Sequence, residues 1–176
     1  MNETGLKIRI LGDPILRKKA KKVGAVTAEC RSILSQMARS MYESQGVGLA
    51  APQVGVNASM IVVDIGSGLY KLINPKIVKK EGKQSIKEGC LSVPGVSVKI
   101  RRAKKIWLEA QDEDSRPVKI QAQDLLACVF QHEIDHLLGR LIVDYVSLMR
   151  RLNLGRKLKP SQNEKLSESE RKSAKL

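Results

Sequence analysis

The stretch Gln131-His132-Glu133-Ile134-Asp135-His136-Leu137-Leu138-Gly139 holds both histidines of the 176-residue chain, four positions apart, with a glutamate directly after the first. Counting back, Leu125, Val129, His132 and His136 recur at intervals of four, three and four, which sets all of them on one side of an α-helix. Four residues of helix are one turn plus a small offset, about 6 Å of rise, so both imidazoles can reach a single ion. Glu133 stands about 100° round the helix from His132. There it can lean toward the open side of the ion as general base for an activated water. A His-Glu-x-x-His pattern can fall by chance on an ordinary amphipathic helix. That the pattern takes up both histidines of the chain argues for a metal site.

Two imidazoles leave such a site incomplete, because a catalytic centre of this kind usually has three protein ligands and one open position. Downstream, Gly139 fits an extended protease pattern, but Ile142 stands where its third histidine would be. Glu164, Glu168 and Glu170 lie in a lysine-rich tail unsuited to fixing a metal. The third ligand is therefore expected upstream, where Glu88-Gly89-Cys90-Leu91-Ser92-Val93-Pro94-Gly95 offers a cysteine just before a proline turn. Sulfur and imidazole together suit zinc or ferrous iron, which makes Cys90 the best candidate.

The frame around this site is that of an ordinary globular protein, with 42% hydrophobic and 28% charged residues. One catalytic metallohydrolase domain over residues 1–148 is expected, followed by a basic C-terminal helix and flexible tail over 149–176. No apolar run is long enough to span a bilayer and the opening residues lack a signal-like apolar core, so the cytoplasm or a soluble organelle interior is expected and a membrane partner is not. Three cysteines at these spacings fit no disulfide framework. Cys30 falls on an apolar stripe and Cys128 one position off the stripe of Val129, and both read as core. The net charge of +14 raises the question of a polyanionic partner. Residues 150–176 carry nine basic side chains against three acidic, and a second cluster runs Arg17-Lys18-Lys19-Ala20-Lys21-Lys22. Aromatics make up only 3% of the chain, too few for a dedicated single-strand nucleic-acid reader.

Along the chain, residues 6–11 read as a short strand and Gly12-Asp13-Pro14 as a turn. Thr27 caps a helix whose stripe Cys30, Ile33, Leu34, Met37 and Met41 runs to about Glu43. The run Gly46-Val47-Gly48-Leu49-Ala50-Ala51-Pro52-Gln53-Val54-Gly55 lets backbone approach a ligand closely and supplies the amide donor of Gln53. Residues 59–64, 69–74, 77–80, 96–101, 105–111 and 117–121 read as strands. No helix-length segment separates them, so antiparallel pairing is expected. Asp124 is expected to cap the metal helix, which ends at Gly139 and buries Leu126, Phe130 and Leu137 between sheet surfaces. A last helix is expected from about Val146 to before Pro160.

The Gly-Val-Gly-Leu-Ala-Ala-Pro-Gln run from Gly46, the Glu-Gly-Cys-Leu-Ser run from Glu88 and Gln-His-Glu-Ile-Asp-His from Gln131 together resemble the three motifs of the peptide deformylase family. They stand in that family's order over roughly residues 5–148. The resemblance implies an α+β fold, antiparallel β-sheets around a central metal-binding helix with a C-terminal helix. It also implies removal of the formyl group from the N-terminal formyl-methionine of newly synthesised polypeptides. It assigns Cys90, His132 and His136 as metal ligands, Glu133 as acid/base, and Gln53 with the backbone amide of Leu91 as oxyanion donors. One divalent ion is implied, ferrous iron natively, with zinc or nickel able to take its place. Val47 joins Leu125 and Val129 in a methionine pocket, and Val47 and Gly48, with Gly89 among the substrate-contacting positions, hold the peptide as an added strand. Glu88, Arg102 and Asp135 are expected to orient the ligands. The basic tail is expected to contact the ribosome. The turn Gly95-Val96-Ser97-Val98 departs from bacterial relatives, which often carry a longer polar or arginine side chain there. An endopeptidase would share the helix but needs its third ligand downstream. A basic RNA-binding protein would explain the charge but not the ligands.

Overall fold

The computed structural model describes residues 6–147. Its framework is a five-stranded antiparallel sheet in the order β1 (Gly48–Ala50), β2 (Met60–Val63), β3 (Tyr70–Glu81), β6 (Lys105–Gln111), β7 (Pro117–Gln123). A separate hairpin pairs β4 (Gln84–Glu88) with β5 (Val98–Arg102). Two α-helices complete the fold among the described residues, α1 (Ala28–Glu43) and α2 (Asp124–Leu137).

Strand alternation assigns each helix its face of the large sheet. Met60 and Val62 of β2, with Leu49 of β1 and Ile73 of β3, pack against Leu34, Met37, Ala38 and Met41 of α1. Ile61 and Val63, with Ala50, Leu72, Ile106, Leu108 and Ala122, pack against Ala127, Val129, Phe130 and Leu137 of α2. The Met-Ile-Val-Val sequence of β2 is apolar throughout because both of its faces are covered. At the β6 end only the α2 side is covered, and Trp107 faces outward between Lys79 and Lys105, whose ammonium groups lie 4.5 and 4.7 Å from the ring centre. The α1 cap is as expected: Thr27 Oγ1 accepts from the Cys30 amide at 3.3 Å, with Glu29 in the first turn.

Several expectations are corrected. Residues 6–11 form no strand; this extended segment is held by single backbone bonds, Arg9 N–H to Gln53 O and Leu11 N–H to Ser92 O. The two short strands expected at 69–74 and 77–80 are one strand, β3. Its register shifts between Ile73 and Lys76, where Pro75 has no N–H to pair and Asn74 takes φ +53°. The Asn74 side chain is used elsewhere, accepting from Val23 N–H and donating to Val23 O. β4 went unread because Ile86 is the sole apolar residue in Gln84-Ser85-Ile86-Lys87-Glu88. Gly48–Ala50, read as a ligand-approaching run, is also a sheet strand.

Asp124 does not cap α2. The N-cap is Gln123, and β7 runs into the helix with no loop. The junction residue Asp124 therefore turns through φ +52° and donates its N–H to Lys104 O. α2 packs its apolar side on the large sheet, and the smaller hairpin closes on it from the other side through Glu88 and Arg102, which bond His132 and Asp135. The far end of α2 terminates as expected. Gly139 has φ +71°, and a Cβ there would come within 2.5 Å of Arg17 O. The basic segment thus crosses the helix terminus with Ala20 N–H donating to Leu137 O, while Lys18, Lys19, Lys21 and Lys22 stay exposed. Val146 and Ser147 are not helical, and the remainder of the helix expected from Val146 lies outside the described residues, as does the tail.

Candidate metal centre

α2 carries His132 and His136 one turn apart, and the turn after β4 carries Cys90 to the same point. His132 Nε2 and His136 Nε2 are 3.2 Å apart, Cys90 Sγ is 3.3 Å from His136 Nε2, and the three ligand atoms all lie within 4.8 Å of one another. A tetrahedral ion with metal–nitrogen bonds of about 2.0–2.1 Å and a metal–sulfur bond of about 2.3 Å would set such atoms about 3.3–3.6 Å apart. Two nitrogens and one sulfur at these separations are a donor set that fits a divalent ion, with one position left for a reacting group.

The histidine orientation is fixed from outside. His132 Nδ1 lies 2.8 Å from Glu88 Oε2, so with the proton on Nδ1 its Nε2 lone pair faces the ion site. Glu88 ends β4 opposite Val98, and is clasped by Arg102 reaching from the far end of β5, Nε to Oε1 at 2.8 Å and Nη2 to Oε2 at 2.9 Å. Arg102 Nη1 continues to Asp135 Oδ2, which also accepts from the Tyr145 hydroxyl at 2.6 Å. Burial by itself would raise the Glu88 carboxyl. The Arg102 and His132 hydrogen bonds outweigh it and hold the group at about 2. Burial alone would lower Arg102, but the Glu88 and Asp135 carboxylates raise it further above its ordinary range. Glu88, Arg102 and Asp135, which could have been surface charges, are all buried.

Glu133 is 3% exposed and its Oε2 makes no hydrogen bond among the described residues. Burial raises its carboxyl to about 7, against the opposing pull of His132. A cation at the ligand atoms would draw it back toward the carboxylate. Gln53, wholly buried, accepts from Ala50 N–H through Oε1 at 2.8 Å. That bond fixes the amide the other way round, so Nε2 points to Ser92 Oγ at 3.2 Å and to Cys90 Sγ at 3.7 Å.

These groups meet at a cavity of about 650 Å³ whose lining includes Val47, Gly48, Gln53, Gly89, Leu91, Leu125, Val129, His132 and Glu133. Every site residue expected from the sequence is thus brought to this cavity or, as with His136, Arg102 and Asp135, directly behind it. Val47 and Leu125 are about half exposed and form an apolar rim, while Val129 is buried. Three further residues escaped sequence reading. Tyr145 closes the Asp135–Arg102 group, although the chain there reads as the approach to another helix. Ser92 steers Gln53, and its place two residues past Cys90 was the available signal. Cys128, read as core, is buried, yet it also lines the cavity and donates to Glu88 Oε1 at 3.2 Å.

The chain matches a family model described as polypeptide deformylase over residues 6–152. The peptide deformylase of Halothermothrix orenii is 50% identical over 143 residues, which are 80% of this chain and 93% of that protein. Among solved structures, a peptide deformylase from Legionella pneumophila superposes with a TM-score of 0.84 at 38% identity, covering 98% of this chain and 99% of the other. One from Synechococcus elongatus in complex with actinonin gives 0.83 at 40% identity, covering 92% of each.

Proposed function

From the premise that this chain belongs to the polypeptide deformylase family, we propose a division of labour in which Cys90, His132 and His136 hold the ion and Glu133 moves the proton. The protein is a metal-dependent hydrolase that removes the formyl group from the N-terminal formyl-methionine of newly synthesised polypeptides. Ferrous iron is its native ion in this reading, with zinc or nickel as substitutes, all compatible with one sulfur and two nitrogens. The observation that carries the reading is Glu133 Oε2, a buried carboxyl oxygen without a hydrogen-bond partner among the described residues, on the helix that carries two of three convergent ligand atoms.

When bound, the ion supplies Lewis acidity, polarising the formyl carbonyl and easing deprotonation of water. Glu133 accepts the proton as the water oxygen bonds to the formyl carbon, and returns it to the amine as the carbon–nitrogen bond breaks. The products are formate and a free N-terminus. Negative charge gathering on the formyl oxygen is met by Gln53 Nε2 and the Leu91 backbone N–H, each worth about 3 kcal/mol if well placed. The Gln53 donor is pre-aimed by its bond to Ala50, so little reorganisation is needed at the moment of reaction. Val47, Leu125 and Val129 receive the methionine side chain. Val47 and Gly48 carry the peptide backbone on one side, opposite Gly89. Glu88, backed by Arg102 and Asp135, keeps the His132 ring in register with the ion.

No helix among the described residues is long and apolar enough to cross a membrane. A bacterial cytoplasm, or the soluble interior of an organelle, suits an enzyme acting on emerging chains, and the basic tail after residue 149 serves as a ribosomal contact. For the chemistry, Glu133→Ala should keep its metal and lose at least about two orders of magnitude in turnover of a formyl-Met peptide. Near-parental turnover would remove Glu133 from its role, and equal cleavage of an unformylated peptide at an internal bond would indicate an endopeptidase.

A further inference from the structure

The Glu88 carboxylate is the hub behind the ion site, and its hydrogen-bond shell is complete in an unusual way. A carboxylate offers about four lone-pair positions. Oε2 takes Arg102 Nη2 and His132 Nδ1, and Oε1 takes Arg102 Nε. The fourth donor is the thiol of Cys128, one turn before His132 on α2, at 3.2 Å from Oε1. Cys128 is 2% exposed and borders the substrate cavity beside Glu88, so its thiol fills the acceptor position of Glu88 Oε1 that a group in that cavity could otherwise take. Burial first, and then the neighbouring Glu88 charge, push its pKa up to about 12, which keeps it protonated and therefore a donor.

We propose that Cys128 is a positioning residue for the metal site: it donates to Glu88, occupies that carboxylate's remaining acceptor position, and thereby holds His132 on the ion. The inference rests on the three-ligand reading above. Without the thiol, one lone pair of Glu88 faces the cavity and can recruit water or substrate amide, and the carboxylate is freer to rotate away from Nδ1. Partners that orient ligating histidines typically govern metal affinity by about ten- to a hundredfold. Cys128 acts one bond further out, and the lower end of that range applies.

The test uses the full chain and compares Cys128→Val, which keeps volume but removes the donor, with Cys128→Ser, which keeps a donor. Zinc affinity is measured by competition with a chromophoric chelator, and the visible spectrum of the cobalt-loaded protein reports ligand geometry. The expected result is about tenfold weaker zinc binding and altered cobalt bands for Cys128→Val, with Cys128→Ser close to the parent. Thermal unfolding of the metal-free proteins controls for packing, and Cys128→Val should melt no lower than Cys128→Ser. Parental affinity and spectrum in Cys128→Val would overturn the proposal. So would equal losses in both variants, because the hydrogen bond would then be irrelevant. A parent that binds less than one zinc would instead defeat the three-ligand site itself.

Discussion

Glu133 Oε1 occupies the space that a side chain on Gly48 would need. A Cβ built on Gly48 would overlap that oxygen and would also come within 2.9 Å of Val129 Cγ1. The glycine is therefore fixed by the carboxylate across from it, where β1 passes closest to Glu133 and Val129 of α2.

It follows that Gly48→Ala should act on chemistry before stability. The added methyl must displace either the Glu133 carboxylate or the strand, and a misplacement of about 1 Å near reacting groups can cost a hundredfold in rate. We expect turnover of a formyl-Met peptide to fall by about ten- to a hundredfold with zinc content unchanged. Steady-state kinetics with metal analysis checks this, and parental turnover would show that the helix gives way freely.

Cys90 is joined to the histidines by no local sequence relationship, so its replacement is the sharpest probe of the ligand set. A serine hydroxyl is a much poorer ligand for zinc or ferrous iron than a thiolate. Cys90→Ser should lose metal and activity in parallel, whereas Cys30→Ser, near the Thr27 cap of α1, should lose neither. The parent loaded with ferrous iron should also be inactivated by peroxide at Cys90. Full metal occupancy in Cys90→Ser would leave the third ligand unidentified.

The Glu88–Arg102 pair predicts a specific acid response in metal-free protein. Glu88 titrates at about 2 in the folded chain and near 4.5 when unperturbed, so between these values the unfolded state binds more protons. Its contribution is present in full above about pH 4.5 and is lost as the pH falls toward 2. Arg102→Leu leaves two buried carboxylates without their cation, and should destabilise by about 3–5 kcal/mol at pH 6. Urea unfolding at pH 6, 4 and 3 should show the gap between parent and variant closing with acid; a constant gap would mean that Arg102 contributes packing alone.

The tail offers a test of location. Arg150, Arg151, Arg156, Lys157 and Lys159 follow the catalytic residues closely in sequence. Truncation after Met149 should spare hydrolysis of short formyl peptides and abolish co-sedimentation with ribosomes, and the parental association should weaken steeply with salt as phosphate contacts exchange with counterions. Co-sedimentation that survives truncation would place the ribosomal contact elsewhere or dismiss it.

What could be read from the sequence was what depends on short-range periodicity. The 3.6-residue repeat puts His132 and His136 together without knowledge of the rest of the fold, and Thr27 declares its helix by a contact only three residues away. Cys90 came partly from chemistry, through the missing ligand, and partly from family resemblance. The misreadings occurred where a distant partner decides conformation. Asp124 looks like a cap until Lys104 O claims its amide, β3 looks like two strands until β6 pairs along both halves, and β4 shows too little apolar alternation to stand out. Tyr145 belongs to the site only because the chain returns to Asp135 after α2, a contact that no local pattern announces.

The burial of α2 also bears on how this protein can change over generations. From Ala127 to Leu137 every residue is buried except His132 and Ile134, and both of these are partly covered. One side of the helix is committed to the sheet through Phe130 and Leu137, and the other to the candidate ligand atoms, the carboxylates and the cavity. Neutral drift has almost no room in this segment, since a substitution that eases packing on the sheet side shifts the ligand side with it. Adaptation to a new substrate or inhibitor should therefore collect at the rim, at Val47, Leu125 and the turn around Gly95, where a side chain can change without moving the helix.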